Sequence, residues 1–318
     1  MWTEDEEFAE GTLAELIEAI VATPVATAAT AATEPPAPTE PTGGVDESST
    51  FLTTCPAWWG GERTFGGMVV AQALSAAMQT VPEGVDIHSL HGYFLLPARP
   101  GTPSTHTVRR LRDGRSFSTR EVVSGVEGRS TFRMTCSFHR AEAGVEYQLP
   151  MAGDIPPPDA IEGSDEPFPF EVRDLGPTER RQDGTYLSTR RCWFRTSRRL
   201  SDDPAVHACV LAYLSDMTGA AFRPLSLDSW GGYTDASLDH ALWFHRPRRA
   251  DAWNLFDFQA LVNANGRSTI RGTMYGDDGV LYLSMAQELL IRKLDEPLVF
   301  EAPSWLEKDG GRVVDGSS

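Results

Sequence analysis

The sequence has little lysine, few cysteines and no long apolar run. Lysine occurs only at Lys293 and Lys308, so arginine supplies nearly all of the positive charge. No stretch approaches about 18 uninterrupted apolar residues, and the N-terminus starts with an acidic run instead of the basic region of a signal peptide. The four cysteines show neither a C-x-x-C pair nor the spacing of a disulfide framework. We therefore expect reduced thiols and a cytoplasmic protein with no membrane partner.

Basic residues are also missing from the first 50 positions, which hold 11 acidic residues and no lysine or arginine. The whole chain has a formal charge of −17. Removing these 11 acids from the total of 45 leaves 34 against 28 basic residues, so residues 51–318 carry only −6. A nucleic-acid-binding surface needs clustered basic residues. We therefore expect no nucleic-acid partner.

Two catalytic signatures are absent as well. The sequence contains no Gly-x-Ser-x-Gly elbow, and the nearest stretch, LDSWG at 227–231, lacks the first glycine. His88 and His91 are three residues apart in a predicted strand, so they face opposite sides of it and cannot share a metal ion. These observations argue against a serine hydrolase and against a metal site at the two histidines.

Composition divides the chain into five segments. An Ala/Thr/Pro tract follows a short predicted helix at 12–22, and such a tract cannot bury enough apolar surface to become ordered. The predicted segments are an acidic N-terminal helix with a disordered linker (1–48), an N-terminal structured domain (49–148), a proline-rich acidic linker (149–186), a C-terminal structured domain (187–296) and an irregular tail (297–318).

The two structured domains repeat one pattern. Each begins with a predicted helix of four to five turns, which a series of strands follows. Three anchors recur at offsets of 148, 152 and 151 residues, namely Ser89 to Ser237, Gly114 to Gly266 and Gly128 to Gly279. One period of about 150 residues indicates an internal duplication. A long central helix wrapped by an antiparallel sheet is the hotdog architecture, so the sequence predicts an α+β double hotdog.

A glutamine interrupts an apolar strand face in the stretch GVLYLSMAQELLIRK (279–293). Residues two apart share a face, which here holds Leu281, Leu283, Met285, Gln287, Leu289 and Ile291. A buried amide without partners costs on the order of 1–3 kcal/mol. A glutamine bonded to the backbone is the simplest interpretation. However, an offset of 151 places Cys136 at this position of the other repeat, so the fold does not require an amide there.

Two further polar residues border the same region. Asp203 and Pro204 predict the start of the second helix, and Asp216 follows Tyr213 at the edge of its buried stripe. Burial and the C-terminal end of the helix dipole both raise the pKa of a carboxyl there, as expected of a general base. An exposed Asp at a fraying helix end is the alternative. Ser237 begins the next strand, and an Asp, a Ser and a Gln that converge on one cavity can hold a water and take its proton.

Seven stretches, taken in order, resemble the acyl-CoA thioesterase II family of bacteria and peroxisomes. They are FGGMVVAQAL, HSLHGYFLLPARP, LRDGRSFSTREV, MTCSFH, LAYLSDMT, SLDHALWFHRP and MAQELLIR. The resemblance covers both structured domains but not the N-terminal segment, the linker at 149–186 or the tail. It implies a double hotdog enzyme that hydrolyses fatty acyl-CoA to a free fatty acid and CoA, without metal, cofactor or covalent intermediate.

The resemblance also assigns residues to that reaction. It implies that Asp216 in LSDMT, Ser237 in ASLDH and Gln287 in MAQE hold and activate the attacking water. It further implies acyl-CoA as the substrate, an apolar tunnel and a homo-oligomer.

Two positions depart from the family pattern, and a third holds one of the two residue types that the family allows there. Met68 replaces the usual Gln after two glycines, Leu289 replaces the Gly of Q-E-G, and a serine occupies the Thr/Ser position. These positions bear on acyl-chain length and on contacts near the first helix, whereas the catalytic roles are retained.

Two other functions stay open. A hotdog pocket can bind acyl-CoA without hydrolysing it, although such a binder has no need of all three polar residues. Asp235 and His240 fit the D-x4-H spacing of hotdog enoyl-CoA hydratases. That motif normally opens onto the hotdog helix and contains Asn-Pro, whereas the interior here is ASLD and leads into a strand.

Overall fold

The structure is a computed structural model, and it describes residues 13–25, 48–57, 62–162, 169–177, 179–181, 189–217, 232–295 and 312–314. The α-helices in these ranges are α1 (Leu13–Ile20), α2 (Gly66–Met78) and α3 (Pro204–Ser215). The strands are β1 (Thr23–Pro24), β2 (Ser48–Thr54), β3 (Asp86–Phe94), β4 (Pro103–Asp113), β5 (Phe117–Val126), β6 (Arg129–His139), β7 (Phe170–Pro177), β8 (Glu179–Arg181), β9 (Thr189–Thr196), β10 (Tyr233–Ser237), β11 (Asp239–Phe244), β12 (Asn254–Ala264), β13 (Arg267–Gly276), β14 (Leu281–Lys293) and β15 (Arg312–Val314). None of the described helices is long and apolar enough to cross a bilayer.

Within the described ranges, thirteen strands form one antiparallel sheet. Its order is β1-β2-β4-β5-β6-β3-β11-β14-β13-β12-β9-β7, and β10 pairs with β14 next to β11. From β2 to β9 this order is a palindrome, because each strand of the first half has its counterpart at the mirrored place in the second half. The palindrome is what an internal duplication produces.

The two halves meet where β3 pairs with β11. His91 lies opposite Ala241 at the centre of this pairing, and the two positions are 241 − 91 = 150 residues apart. A shift of 150 also exchanges the flanking pairs, since Gly92 pairs with His240 and Leu90 pairs with Leu242. The register therefore defines a local two-fold axis through the seam between the repeats.

The helices α2 and α3 pack against each other, and most of their side chains are buried. They contain 13 and 12 residues, about three and a half turns each, and are shorter than the four to five turns that we predicted. Thr80 lies two residues beyond the end of α2 and takes part in the hydrogen bonds there. Its hydroxyl donates to the carbonyl of Ala77 at 2.8 Å, and the buried Arg120 donates to the carbonyl of Thr80 at 2.9 Å. Side chains thus bond one carbonyl in the last turn of α2 and one just beyond the helix.

The start of α3 confirms its predicted capping. Asp203 Oδ1 accepts the N–H of Ala205 at 2.9 Å, and Pro204 occupies the first helical position. Asp216 is the C-cap residue of this helix. Gly219 is the glycine that the sequence predicts to follow the end of this helix, and it lies outside the described residues.

Two predicted irregular segments contain strands. Residues of the predicted 149–186 linker form β7, which pairs with β9; its Phe170 is buried and its Val172 packs on the core. This apolar alternation was obscured by the surrounding prolines. Similarly, β15 in the predicted tail pairs with β8. The N-terminal helix is confirmed as α1, whereas most of the Ala/Thr/Pro tract lies outside the described residues.

Candidate functional site

The structure brings Asp216, Ser237 and Gln287 together at the end of α3. Ser237 is the last residue of β10, and Gln287 lies in β14, the strand that β10 pairs with. As predicted, Gln287 shares a buried strand face with apolar residues, since Met285 and Leu289 on either side are also buried. A helix end and two adjacent strands therefore position the three side chains.

One carboxylate oxygen joins the three residues. Ser237 Oγ donates to Asp216 Oδ1 at 3.1 Å, and the carboxamide nitrogen of Gln287 donates to the same oxygen. Gln287 Nε2 also donates to Ser237 Oγ at 2.9 Å. The buried amide is thus satisfied by polar side chains of the site, and Asp216, which is only 5% exposed, is not the solvent-exposed residue of the alternative interpretation.

Burial makes Asp216 a stronger base than an ordinary aspartate. Loss of hydration is the main cause that raises the pKa of Asp216 from 3.8 to about 6, and the nearby Asp235 raises it further. Hydrogen bonds from Gln287, Ser237 and the N–H of Gly67 act in the opposite direction. The carboxyl is therefore mostly ionised at neutral pH and still basic enough to take a proton.

The start of α2 touches this carboxylate. The N–H of Gly67 donates to it, and a Cβ placed on Gly66 would lie 2.5 Å from Asp216 Oδ2. Both glycines thus allow the N-terminal end of one helix to reach the C-terminal end of the other. The positive end of the α2 dipole partly offsets the unfavourable end of α3. Sequence reasoning considered only the dipole of α3, although the Gly66-Gly67 pair at a predicted helix start was the available signal.

His240 is a further residue of the site, which the sequence showed only as part of a hydratase-like motif. It is fully buried in β11, and its ring Nε2 lies 2.7 Å from Ser215 Oγ. The Ser215 hydroxyl donates its proton to the carbonyl of Ala212 at 2.7 Å. The hydroxyl can therefore only accept from His240, and the ring must carry its proton on Nε2. Its Nδ1 then carries a lone pair and faces Asp216 Oδ1 at 4.0 Å.

The charge state of His240 agrees with this tautomer. Burial lowers the pKa of His240 to about 3, so the ring is neutral at physiological pH. Among the described residues, Nδ1 has no hydrogen-bond partner. An unprotonated ring nitrogen is thus placed as an acceptor next to the carboxyl group. Asp235 lies in β10 and His240 in β11. The hydratase motif, in contrast, opens onto a hotdog helix.

The positions that depart from the family pattern lie in the core around the site. Met68 is fully buried in α2, and Leu289 is buried directly opposite Ser237 in the β10–β14 pairing. The same pairing corrects one anchor of the duplication. Ile87 pairs with Phe138, and Ser237 pairs with Leu289, 151 residues after Phe138, so the structural counterpart of Ser237 is Ile87 and not Ser89. An irregularity in β3 between Ile87 and Ser89 accounts for the difference.

Within the described ranges, no group of three or more His, Cys, Asp or Glu side chains is arranged to hold a metal ion. None of the four cysteines forms a disulfide.

Two family models match the chain. The acyl-CoA thioesterase N-terminal domain matches residues 55–139, and the acyl-CoA thioesterase C-terminal domain matches residues 148–291. Acyl-CoA thioesterase 2 of Haemophilus influenzae is 34% identical over 257 residues, which cover 73% of this chain and 89% of that relative.

Solved structures give the same result. An acyl-CoA thioesterase II, TesB2, from Mycobacterium marinum superposes with a TM-score of 0.67 at 33% identity and covers 79% of this chain and 94% of its own. A hot dog-fold protein from Alicyclobacillus acidocaldarius has a TM-score of 0.64 at 16% identity, covers 89% of this chain and 98% of its own, and shows the fold alone. The fold is a hotdog fold with a large antiparallel sheet and few helices. The chain belongs to the acyl-CoA thioesterase family.

Proposed function

We propose that this protein hydrolyses acyl-CoA to a free fatty acid and CoA, with Asp216 as the general base. The observation that carries the proposal is the buried Asp216 carboxylate, whose Oδ1 accepts hydrogen bonds from both Ser237 and Gln287. In a chain of the acyl-CoA thioesterase family, this arrangement matches what hydrolysis by an activated water requires. The palindromic sheet further supports a double hotdog, with one hotdog in each repeat.

In the first step, a water enters between the three side chains. Ser237 and Gln287 orient it, and Asp216 takes one of its protons while the oxygen adds to the thioester carbonyl carbon. Because the three groups come from a helix end and two paired strands, the site holds them with little freedom, which favours a reactive geometry. No enzyme side chain becomes covalently bound to the acyl group.

We assign the first turn of α2 to the negative charge that develops on the carbonyl oxygen. At this helix start, the N–H groups of Met68 and Val69 bond to the carbonyl of Phe65, and that of Gly67 bonds to Asp216. The N–H of Gly66 is then the donor that we propose for the oxyanion. Donors placed in this way typically contribute a few kcal/mol to transition-state stabilisation.

In the second step, the tetrahedral intermediate breaks its carbon–sulfur bond. The thiolate of CoA leaves and receives the proton that Asp216 took from water, so that the carboxylate is restored. His240 acts as a positioning residue in the interval between the two proton transfers. Its Nδ1 lone pair can accept a hydrogen bond from Asp216 only while Asp216 is protonated. The histidine thus favours the protonated state that the first step creates.

We also propose self-association through the outer face of the seam. Tyr93 and Trp243 lie on this face of β3 and β11 and are 64% and 37% exposed, and Leu95, two residues after Tyr93, is 50% exposed. Exposed large apolar side chains along one face are candidates for an interaction surface. A homo-oligomer built on this face agrees with the sequence-based prediction. The prediction of a cytoplasmic protein also stands as a proposal.

Thiol release from a panel of saturated acyl-CoA substrates tests the proposed activity. We expect release by the wild type, and a fall of about 10²-fold or more in kcat for Asp216→Asn, as loss of a general base causes. Asp257→Asn is the matched control, because burial also raises the pKa of Asp257 but its partner is Arg191, away from the site.

The same panel separates the alternatives. A wild type that binds acyl-CoA without releasing thiol would be the non-catalytic binder. Hydration of an enoyl-CoA without thiol release would favour the hydratase. Equal activity of the wild type and Asp216→Asn would refute the role of Asp216.

A further inference from the structure

A cavity lies at the other end of the helix pair from Asp216, and we call it the second pocket. It has a volume of about 320 Å³ and is lined by Met78 at the end of α2, Pro204 at the start of α3, and Ile87 and Phe244 from the sheet. Asp216 lies at the opposite end of the pair, where α2 begins and α3 ends. The cavity is therefore separate from the candidate catalytic site.

The local two-fold axis relates this cavity to the catalytic site. The shift of 150 residues that defines the seam converts Ile87 into Ser237 and Phe94 into Phe244, and Phe94 is the side chain next to Gly66 at the catalytic end. The same rotation exchanges the starts of α2 and α3, so Pro204 corresponds to Gly66. The cavity is thus the duplicate of the catalytic site in the other repeat.

The duplicate has none of the three proposed catalytic side chains at the equivalent positions. Ile87 stands in place of Ser237 and Cys136 in place of Gln287, and the C-cap residue of α2 is Gln79 where that of α3 is Asp216. The amide of Gln79 donates to the carbonyl of Ala22 at 2.7 Å. At the helix start, Pro204 has no N–H, and Asp203 already accepts the N–H of Ala205. The start of α3 therefore offers no N–H at Pro204 for an oxyanion. The titratable side chains that do line the pocket, such as Asp86 and His88, stand at other positions than the proposed catalytic residues.

The cavity nevertheless has the chemistry of a binding site. Its inner wall is apolar and includes Met78, Ile87, Ala208, Leu211 and Phe244, and its volume lies within the range of roughly 300–1,000 Å³ that is typical of small-molecule pockets. Its lining also contains Arg246, Arg248 and Arg249.

One of these arginines is available for exchange with a ligand. Arg246 Nη2 bonds to Glu146 Oε2 at 2.6 Å, but the side chain of Glu146 is 77% exposed. An exposed ion pair of this kind contributes little to stability. An anionic head group of a ligand can therefore replace Glu146 at low cost.

We propose that this second pocket binds a fatty acyl chain with an anionic head group and does not hydrolyse it. The apolar wall takes the chain, and Arg246 takes the head group. The choice of ligand class rests on the proposed function, since the pocket is the duplicate of a site that we assign to acyl-CoA. A free fatty acid and an acyl-CoA share this chemistry, and the experiment distinguishes them.

The first test counts binding sites by equilibrium dialysis, with dodecanoate and a non-hydrolysable thioether analogue of dodecanoyl-CoA as separate probes. The variant is Ala208→Phe, which fills the second pocket and leaves the catalytic residues untouched. We expect the wild type to bind two molecules of at least one probe per chain and the variant to bind one, with kcat for thiol release unchanged within about twofold. The probe that loses a site identifies the ligand. If the wild type and Ala208→Phe each bind only one molecule of each probe per chain, the proposal is overturned. It is also overturned if Ala208→Phe loses kcat together with the binding site.

A second test needs no variant and therefore no folding control. Diethylpyrocarbonate modifies accessible histidines, and His88, His139 and His245 line the second pocket, whereas His91 is exposed outside it. We expect a bound probe to reduce modification of His88, His139 and His245 by several fold and to leave His91 unchanged. The fourth histidine of the lining, His207, is buried and does not serve as a reporter. Absence of protection, or equal protection of His91, overturns the proposal. If protection is seen in a protein that releases no thiol, the proposed activity fails and the second site stands.

Discussion

His240 Nδ1 faces Asp216 Oδ1 at 4.0 Å, and neither atom carries a proton when the carboxyl group is ionised. Two lone pairs in a buried space repel each other, so this contact disfavours the ionised carboxylate. The protonated carboxyl turns the repulsion into a hydrogen bond if the atoms approach by about 1 Å. The pair therefore adds to the basicity that burial gives to Asp216.

Replacing His240 tests this relationship. In His240→Leu, the lone pair is removed by the side chain that the first repeat has at the equivalent position, Leu90. We expect the acidic limb of kcat/KM against pH to move to lower pH by about half a unit to one unit, the equivalent of one hydrogen bond. His106→Leu is the control, because His106 is also buried and neutral but bonds to Thr53 and Ser124 in the other repeat. A limb that stays in place in His240→Leu would remove His240 from the mechanism.

The wild-type pH profile follows from the raised pKa of Asp216. In the proposed mechanism the ionised carboxylate of Asp216 is the reactive form, so we expect activity to rise with pH through about 6 and then to level off. An ordinary aspartate would place this limb near 3.8. The measurement is kcat/KM for one acyl-CoA between pH 4 and 8, and a limb near 4 would contradict a buried base.

The raised pKa of Asp216 also affects stability, which should fall with rising pH where activity should increase. Between pH 3.8 and about 6, the folded state holds the proton of Asp216 more tightly than the unfolded chain does. The contribution of this group to the free energy of unfolding therefore falls as pH rises through that window. Comparing denaturant unfolding of the wild type with that of Asp216→Asn at several pH values isolates the slope. The difference between the two proteins should be constant above about pH 7.

Gln287→Glu should move the acidic limb in the other direction. A second carboxylate beside Asp216 Oδ1 disfavours its ionisation through like-charge repulsion, so we expect the limb at higher pH and lower activity at pH 7. Gln259→Glu is the control, since Gln259 is exposed in β12 and bonds to Arg271. A pH profile identical to the wild type would mean that Gln287 does not contact the base during catalysis.

The glycine pair at the start of α2 allows activity and stability to be separated. In Gly66→Ala, the new methyl group meets Asp216 Oδ2, which can shift, so we expect kcat to fall at least tenfold with a small change in Tm. In Gly67→Ala, the methyl group meets the backbone carbonyl of Tyr213, which cannot shift without moving α3, so Tm should fall clearly. Gly144→Ala is the control, because no atom lies within 4 Å of the added methyl group. Similar effects of all three substitutions on Tm and kcat would contradict the close approach of the two helices.

The repeat and its strands could be predicted from local patterns. Gly128 and Gly279, which anchored the period, both have positive φ angles of 77° and 75°, so the sequence required glycine at equivalent turns. The alternation around Gln287 likewise depends only on residues two apart. Asp216 was identified by its position at a helix end. Ser237 was predicted to begin a strand, whereas the structure makes it the last residue of β10, two residues before β11 begins.

The sequence did not indicate that the start of α2 and the end of α3, which are distant along the chain, lie in contact. Whether the start of α2 touches the end of α3 depends on how the two repeats meet, and the register of β3 with β11 decides that. The role of Gly67 and the orientation of His240 follow from this packing, so no local pattern could indicate them. The assignment of Ser89 as the counterpart of Ser237 differs from the structure for a related reason, because a strand irregularity shifts spacing without changing composition.

The seam between β3 and β11 has a consequence for assembly. Without β11, strand β3 would present a row of unpaired N–H and C=O groups, and a second copy of the same half could add to it in the same two-fold register. The molecule is thus built as a pair of like subunits tied into one polypeptide. A true pair of identical subunits would carry two equal sites. With the roles that we propose, the fused chain holds one reactive and one non-catalytic site in a strict one-to-one ratio, and each could change in sequence without the other.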